Sequence, residues 1–153
     1  MVQESGVPAS IRDMTIVEAR SQIQELTARY ALYVDTFQLE PLVGLFLEDG
    51  VLDEVACGLA RHEGRTALTA YYRELFDMID GTVHLTGNHI LDQFDGATAR
   101  GSCSSIIVGA INGSPVQLIC RYDDVYVRTQ DGWRFRSRVV LPYLPVDPGI
   151  FGH

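Results

Sequence analysis

An α+β fold, with helices packed on one face of a curved antiparallel sheet, follows from three features of the 153-residue sequence. Apolar residues recur at helical spacing through the first half. The segments after Gly81 are rich in Val, Ile, Tyr and Phe. Those segments are separated by Asp95-Gly96, Asn112-Gly113 and Asp131-Gly132. Helices first and a strand meander afterwards is the layout of an α+β domain. The length suits one domain with a single core. A curved sheet closed by helices leaves a pocket on its concave side.

Each element has its own signal. Thr15 followed by Glu18 forms a capping box. Val17, Ile23, Leu26, Tyr30, Tyr33, Val34 and Phe37 then repeat at helical spacing, which predicts a long first helix ending near Asp35. Pro41 suits the first turn of a short second helix through Leu45, Phe46 and Leu47, stopped by a turn at Glu48-Asp49-Gly50. A short strand at Val51–Val55 follows. Thr66 can cap a third helix whose Leu68, Tyr71, Tyr72, Leu75, Phe76 and Ile79 form a wide apolar face, ending near Asp80-Gly81. Strands are predicted over 82–94, 97–111, 115–128 and 133–141, because Asp-Gly and Asn-Gly tolerate the positive φ of tight hairpin turns. Residues 1–12 lack periodicity, and 142–153 carry three prolines and two glycines. Both read as loose ends around one domain at 13–141.

Composition excludes several kinds of chemistry. All twelve basic residues are arginine and there is no lysine. Schiff-base catalysis, a pyridoxal phosphate held on the chain and a phosphate-loop lysine all need a primary amine, so none is available. A net charge of −8 argues against nucleic acid as a partner, since phosphate binding needs a basic face. No stretch approaches the ~20 apolar residues of a membrane helix, and Met1–Arg12 lacks the layout of a secretory signal. A cytoplasmic protein is the expectation. Cys57, Cys103 and Cys120 form no Cys-x-x-Cys pair and read as small core residues. No His, Asp and Glu set has metal-ligand spacing, and no phosphate-loop, Rossmann or Gly-x-Ser-x-Gly pattern occurs. Chemistry without a metal or cofactor remains.

Strand alternation sorts the polar candidates. It puts His84, Thr86, Asn88 and Ile90 on one face and Val83, Leu85, His89 and Leu91 on the other. Tyr122, Asp124 and Tyr126 share a face opposite Arg121 and Asp123. Trp133, Phe135, Ser137 and Val139 point inward, which leaves Arg134, Arg136 and Arg138 as an outer row, solvated or used in an oligomer contact. Tyr30 belongs to the first helix's stripe. Asp35 ends that helix, where the helix dipole disfavours negative charge, so it is either open to solvent or paired. A histidine partner would gain a fixed tautomer and act as a general base. His84 alone reads more readily as a structural or surface histidine than as a catalyst, and His62 and His89 still more so. Asp124, among aromatic residues, has to be paired, protonated or wet.

Five stretches together resemble the SnoaL-like branch of the nuclear-transport-factor-two-like superfamily: Tyr30–Asp35, Leu42–Phe46 leading into Glu48-Asp49-Gly50, Gly64-Arg65-Thr66, His84–Asn88 and Asp131–Arg134. The resemblance covers residues 13–141. It implies a cone of three helices against a strongly curved antiparallel or mixed sheet around one deep cavity. The site resembles those of scytalone dehydratase, bile-acid dehydratase and hexachlorocyclohexane dehydrochlorinase, which use an Asp–His dyad for proton abstraction. By that resemblance Asp35 and His84 are the dyad. Tyr30 takes the place of the bile-acid enzyme's tyrosine, where the dehydrochlorinase has lysine. A looser likeness to ketosteroid isomerase puts its general-base aspartate at Glu54 and its oxyanion acid near Asp124.

The chemistry this implies is removal of a proton beside a carbonyl by His84, with the Tyr30 hydroxyl donating to the developing oxyanion or departing hydroxyl. Dehydration, isomerisation or polyketide cyclisation could follow. Glu54, Asn88, Tyr122, Asp124, Tyr126 and Phe46 are the expected substrate-binding residues. The tyrosines, Phe46, Phe76 and Trp133 suit a flat apolar ligand, polyketide- or steroid-like, and equally suit a core. A homo-oligomer, dimer or trimer, is expected. Two alternatives share the fold: a non-catalytic binding protein or small subunit, and a limonene-type epoxide hydrolase. The latter needs an Asp–Arg–Asp set that Arg121 and Asp123 supply only in part.

Overall fold

A computed structural model describes residues 14–146. Thr15 caps helix α1 (Ile16–Asp35): its hydroxyl accepts from the Glu18 N–H, and Glu18 accepts from the Thr15 N–H. Helix α2 (Leu39–Val43) follows, then strand β1 (Phe46–Asp53), a short 3-10 turn (Val55–Cys57), strand β2 (Arg61–Glu63) and helix α3 (Gly64–Met78). Four long strands complete the fold: β3 (Ile79–Phe94), β4 (Thr98–Ile111), β5 (Ser114–Thr129) and β6 (Gly132–Pro142). The six strands form one sheet in the order β2-β1-β6-β5-β4-β3. It is mixed, because β1 runs parallel to β6 while the other neighbours are antiparallel. The three hairpin turns fall at the Asp-Gly and Asn-Gly dipeptides. Asn112, Gly113, Gly96 and Gly132 all take positive φ there.

Several boundaries differ from the sequence reading: the strand expected at Val51–Val55 ends at Asp53, with Val55 in the 3-10 turn, and Ile79 opens β3 rather than belonging to the third helix. Helix α2 stops at Val43, and Phe46-Leu47 open β1 rather than ending a helix. Glu48-Asp49-Gly50 is not a turn but an irregular stretch inside β1, where the register against β6 shifts between Phe46 and Val51. A side chain at Gly50 would sit 2.9 Å from the Phe46 Cβ, so the kink needs glycine. Thr66 does not cap α3. Glu63 occupies that position without a side-chain bond, and the helix start is tied down by Arg65, which donates to the Phe46 carbonyl at 3.0 and 2.7 Å. The expected loose ends fall largely on residues 1–13 and 147–153, outside the described residues. Pro142 closes β6, and the Tyr143 N–H reaches the Ile119 carbonyl at 2.9 Å.

Two β-bulges reverse the expected facing of side chains. In β3 the pairing with β4 slips between Gly87 and Ile90, with Asn88 at φ 54°. Gly101 across the strand makes room, since a Cβ there would run into the Ile90 carbonyl. Past this point the alternation inverts, so His89 faces inward like His84, with its Nε2 2.6 Å from the Thr27 hydroxyl, and Asn88 is exposed. The second slip lies between Val125 and Tyr126 of β5, opposite Phe135–Ser137 of β6. It sends Arg138 and Val140 inward and leaves Ser137 and Val139 on the other face, so Arg138 does not belong to an outer arginine row.

Arg138 is fully buried, and so is its partner Asp124. Its Nε and Nη2 donate to the two Asp124 carboxylate oxygens at 2.9 and 2.8 Å, and the Tyr126 hydroxyl donates to the same carboxylate at 2.7 Å. The guanidinium carbon lies 3.9, 4.3 and 4.4 Å from the ring centroids of Tyr122, Tyr30 and Phe135. Desolvation opposes the charge, and Asp124 outweighs it, so the Arg138 pKa stands well above its usual value. The buried core also holds Phe46, Leu52, Leu68, Tyr72, Cys103, Cys120 and Trp133. The three cysteines are buried free thiols, as their spacing suggested. Among the described residues no helix is long and apolar enough to cross a membrane.

Removing one member of a buried ion pair strands the other charge. Asp124→Asn is expected to cost about 3–5 kcal/mol in urea unfolding, and Asp124→Leu with Arg138→Met to recover much of that loss. A cost below about 1 kcal/mol for Asp124→Asn would remove the pair from this structural role.

Candidate active site

Asp35 closes α1, and His84 lies in the part of β3 that crosses that helix end. The side-chain contact is double: Asp35 Oδ1 lies 2.6 Å from His84 Nδ1, while Oδ2 accepts the main-chain N–H of His84 at 2.9 Å. A carboxylate oxygen accepts, so Nδ1 carries a proton, and in the neutral ring Nε2 is then the nitrogen with the free lone pair. Two donors also offset the unfavourable position of a carboxylate at a helix C-terminus. The His84 side chain is 7% exposed and Asp35 19%. Of the two readings left open for Asp35, the paired one is what the structure shows.

His84 lines a cavity bounded by α1, α3, the turn after β1 and the inner face of β3–β6. Its walls are mostly apolar, with Val34, Leu59, Leu75, Ile107, Leu118 and Val140 among them. Tyr30, Glu54, Tyr71, Tyr72, His84 and Tyr122 bring polar atoms to it. The open space is about 100 Å³, against the roughly 10–15 Å³ that one water occupies by a similar measure. Tyr30 stands edge-on to His84, ring centroids 6.3 Å apart, and its hydroxyl lies 2.8 Å from the Tyr72 hydroxyl. In this pair one hydroxyl donates to the other, which keeps its own proton for a ligand. Burial pushes Tyr30 up to about 12, against the pull of Arg138, and drives Tyr72 well above its ordinary value. Both therefore remain O–H donors at neutral pH.

On the turn after β1, Glu54 presents a partly buried carboxyl. Burial pushes it up to about 7, opposed by a hydrogen bond from Tyr71 and assisted by neighbouring Asp53. The Tyr71 ring stacks on His62, centroids 4.0 Å apart and planes within 17°.

Of the expected site residues, Tyr30, Glu54, His84 and Tyr122 meet on the cavity, with Asp35 directly behind His84. The others do not. Phe46 and Tyr126 are core residues below the cavity, and Asp124 is committed to Arg138. Asn88 is carried to the outer surface by the β3 bulge. Phe46 and Trp133 pack in the core rather than against a ligand, and so lend nothing to a polycyclic substrate. Arg121 and Asp123 pair with each other on the far face, at 2.7 Å and half exposed. Tyr71 and Tyr72 were read only as a helix's apolar face. Their hydroxyls were the missed signal, because a buried phenol needs a hydrogen-bond partner. Among the described residues no group of three or more His, Cys, Asp or Glu could hold a metal ion.

The profile of the SnoaL-like domain matches residues 15–139. An uncharacterized protein of Mycobacterium tuberculosis is 30% identical over 135 residues, which is 85% of this chain and 89% of that one. A Novosphingobium aromaticivorans protein assigned as an aromatic ring hydroxylase superposes with a TM-score of 0.83 at 25% identity, over 88% of this chain and 95% of that one. A second protein of that organism, assigned as a scytalone dehydratase, has a TM-score of 0.75 at 21% identity, over 81% and 83% of the two chains.

Glu54 supplies a check on the site that needs no substrate. Its pKa is raised on folding from an ordinary 4.5 to about 7. Between those values the native state binds the extra proton, so stability falls as pH rises through that window and is level outside it. Glu54→Gln is expected to match the wild type near pH 4 and to exceed it by roughly 1–3 kcal/mol at pH 8 in chemical denaturation. A constant difference across that range would contradict a raised Glu54 pKa.

Proposed function

The chain belongs to the SnoaL-like domain family, and from that premise we propose an acid–base enzyme that uses no cofactor. Its His84, oriented by Asp35, would abstract a proton from carbon beside a carbonyl or conjugated group. The observation that carries the reading is the double contact of Asp35 with the His84 ring and main chain, beside an apolar cavity that the ring also lines.

Each group has a distinct task. Nε2 takes the carbon-bound proton, and the Asp35 carboxylate stabilises the imidazolium that results. The C–H electron pair moves into a carbon–carbon double bond, with negative charge on the carbonyl oxygen. The Tyr30–Tyr72 hydroxyl pair is placed to donate to that oxygen, in surroundings that exclude most water. Protonation elsewhere gives an isomer, loss of a β-hydroxyl gives a dehydration product, and attack on a second carbonyl gives a ring. Dehydration is the outcome we favour, and the fold shared with a protein assigned as a scytalone dehydratase supports it. The substrate is a mainly apolar carbonyl compound, cyclic or of polyketide or steroid type, whose reacting end enters the cavity.

A homo-oligomer belongs to the same proposal. Val83 and Leu85 of β3 pair across the outer sheet face with Val108 and Ile106 of β4, and all four are 42–64% exposed. That apolar row supports a contact with a second copy.

Proton abstraction alone can be followed as deuterium uptake. In D2O the wild-type protein is expected to accelerate exchange at the α-carbons of 4-phenylbutan-2-one, read by NMR. His84→Ala and Asp35→Asn should each lower that rate by about 100-fold or more while circular dichroism stays native. Equal rates in all three proteins would refute the dyad. No exchange above buffer in the wild type would favour a binding or small-subunit role.

A further inference from the structure

Glu54 is held more firmly, and satisfied less completely, than a wall residue of an apolar cavity requires. Its main chain is fixed on both sides: the N–H donates to the Ala60 carbonyl at 3.1 Å, and its own carbonyl accepts from the Cys57 and Leu59 N–H groups at 2.9 and 3.2 Å. The side chain is thereby delivered to one point of the wall. Tyr71 shares this wall of the cavity and is itself held by stacking on His62. Glu54 Oε2 is buried and has no partner among the described residues. A buried polar atom without a partner is costly, and on a cavity wall its natural complement is a ligand atom.

Resting on the dyad reading above, we propose that Glu54 is a second catalytic residue, the acid that protonates the departing oxygen of a β-hydroxy carbonyl substrate. Oε2 is the carboxyl atom without a protein partner, so it is the one open to give its proton to a ligand atom in the cavity. Burial pushes the carboxyl up to about 7, so the O–H form is present near neutral pH. Glu54 and His84 reach the same cavity from different elements, the turn after β1 and strand β3, which lets one take a proton while the other gives one.

The step balances without an oxidant or reductant. Nε2 of His84 takes the proton α to the carbonyl, and the C–H pair becomes the new carbon–carbon double bond. The bond from the β-carbon to oxygen breaks with its pair on oxygen, and Glu54 transfers its proton there to release water. His84 is left as imidazolium and Glu54 as carboxylate. Proton exchange with solvent restores both.

Two probes with the same acidic C–H and different leaving groups test this: 4-hydroxy-4-phenylbutan-2-one, which loses hydroxide unless a proton is supplied, and its acetate ester, which loses acetate without one. Product formation is followed by the ultraviolet absorbance of the conjugated ketone. Glu54→Gln is expected to slow the hydroxy compound at least about 30-fold more than the acetate, since general-acid help is typically worth about 10²–10⁴-fold. The wild-type rate with the hydroxy compound should also fall as pH rises through about 7, a decline the acetate lacks. His84→Ala should abolish both eliminations, so a failure of the dyad shows as two unaffected rates in that variant. Equal slowing of the two probes by Glu54→Gln, or turnover of neither by the wild-type protein, overturns the proposal for Glu54.

Discussion

A guanidinium sealed from water has to be met by a carboxylate, and the Arg138–Asp124 pair is the contact around which the inside of this fold is arranged. The pair locks β6 to β5 at the slip that turned Arg138 inward. Its flat cation then lies against Tyr30, Tyr122 and Phe135, which joins helix α1 to the sheet through aromatic faces. Desolvated contacts of this kind are worth up to ~2 kcal/mol each. They also hold Tyr30 where its hydroxyl meets Tyr72 and its edge meets His84. The floor of the cavity is thus built on a buried charge that does not itself line it.

The Asp35–His84 contact is a second tie between the same two layers. Asp35 spends one oxygen on the His84 ring and the other on the main chain of the same residue. The two bonds fix the ring's position as well as its tautomer. A histidine oriented only through its ring could rotate with its strand, whereas this one cannot move without breaking the helix-to-sheet contact. Four tyrosines and the Glu54 carboxyl line the cavity with it, so an imidazole, phenols and a carboxyl face one small apolar space.

Residues with strong local signals were legible in the sequence. The capping box at Thr15 and Glu18, the stripe through Ile23, Leu26, Tyr30 and Val34, and the three glycine hairpins each act within a few residues of chain, so the chain itself states them. The dyad was legible only as far as Asp35 standing at a helix end in need of a partner, with family resemblance naming His84. What the sequence could not give were the two bulges. Alternation by twos assumes an unbroken strand, and one inserted residue moves every later side chain to the other face. His89, Asn88 and Arg138 were misplaced for that one reason. Glu48-Asp49-Gly50 misled differently: it is turn-forming by composition, yet β6 and α3 hold it in a kinked strand. Tyr71 and Tyr72 could not be told from ordinary core because their partners, Glu54 and Tyr30, lie far away in the chain.

The assignment of His84 as a base oriented by Asp35 rests on where its ring proton resides. Nitrogen-15 chemical shifts of the His84 imidazole in the full-length protein report this directly. The geometry predicts that the neutral ring is protonated at Nδ1 with Nε2 a bare acceptor, and that Asp35→Asn removes this preference. A neutral His84 protonated at Nε2, or a tautomer unchanged by Asp35→Asn, would contradict it.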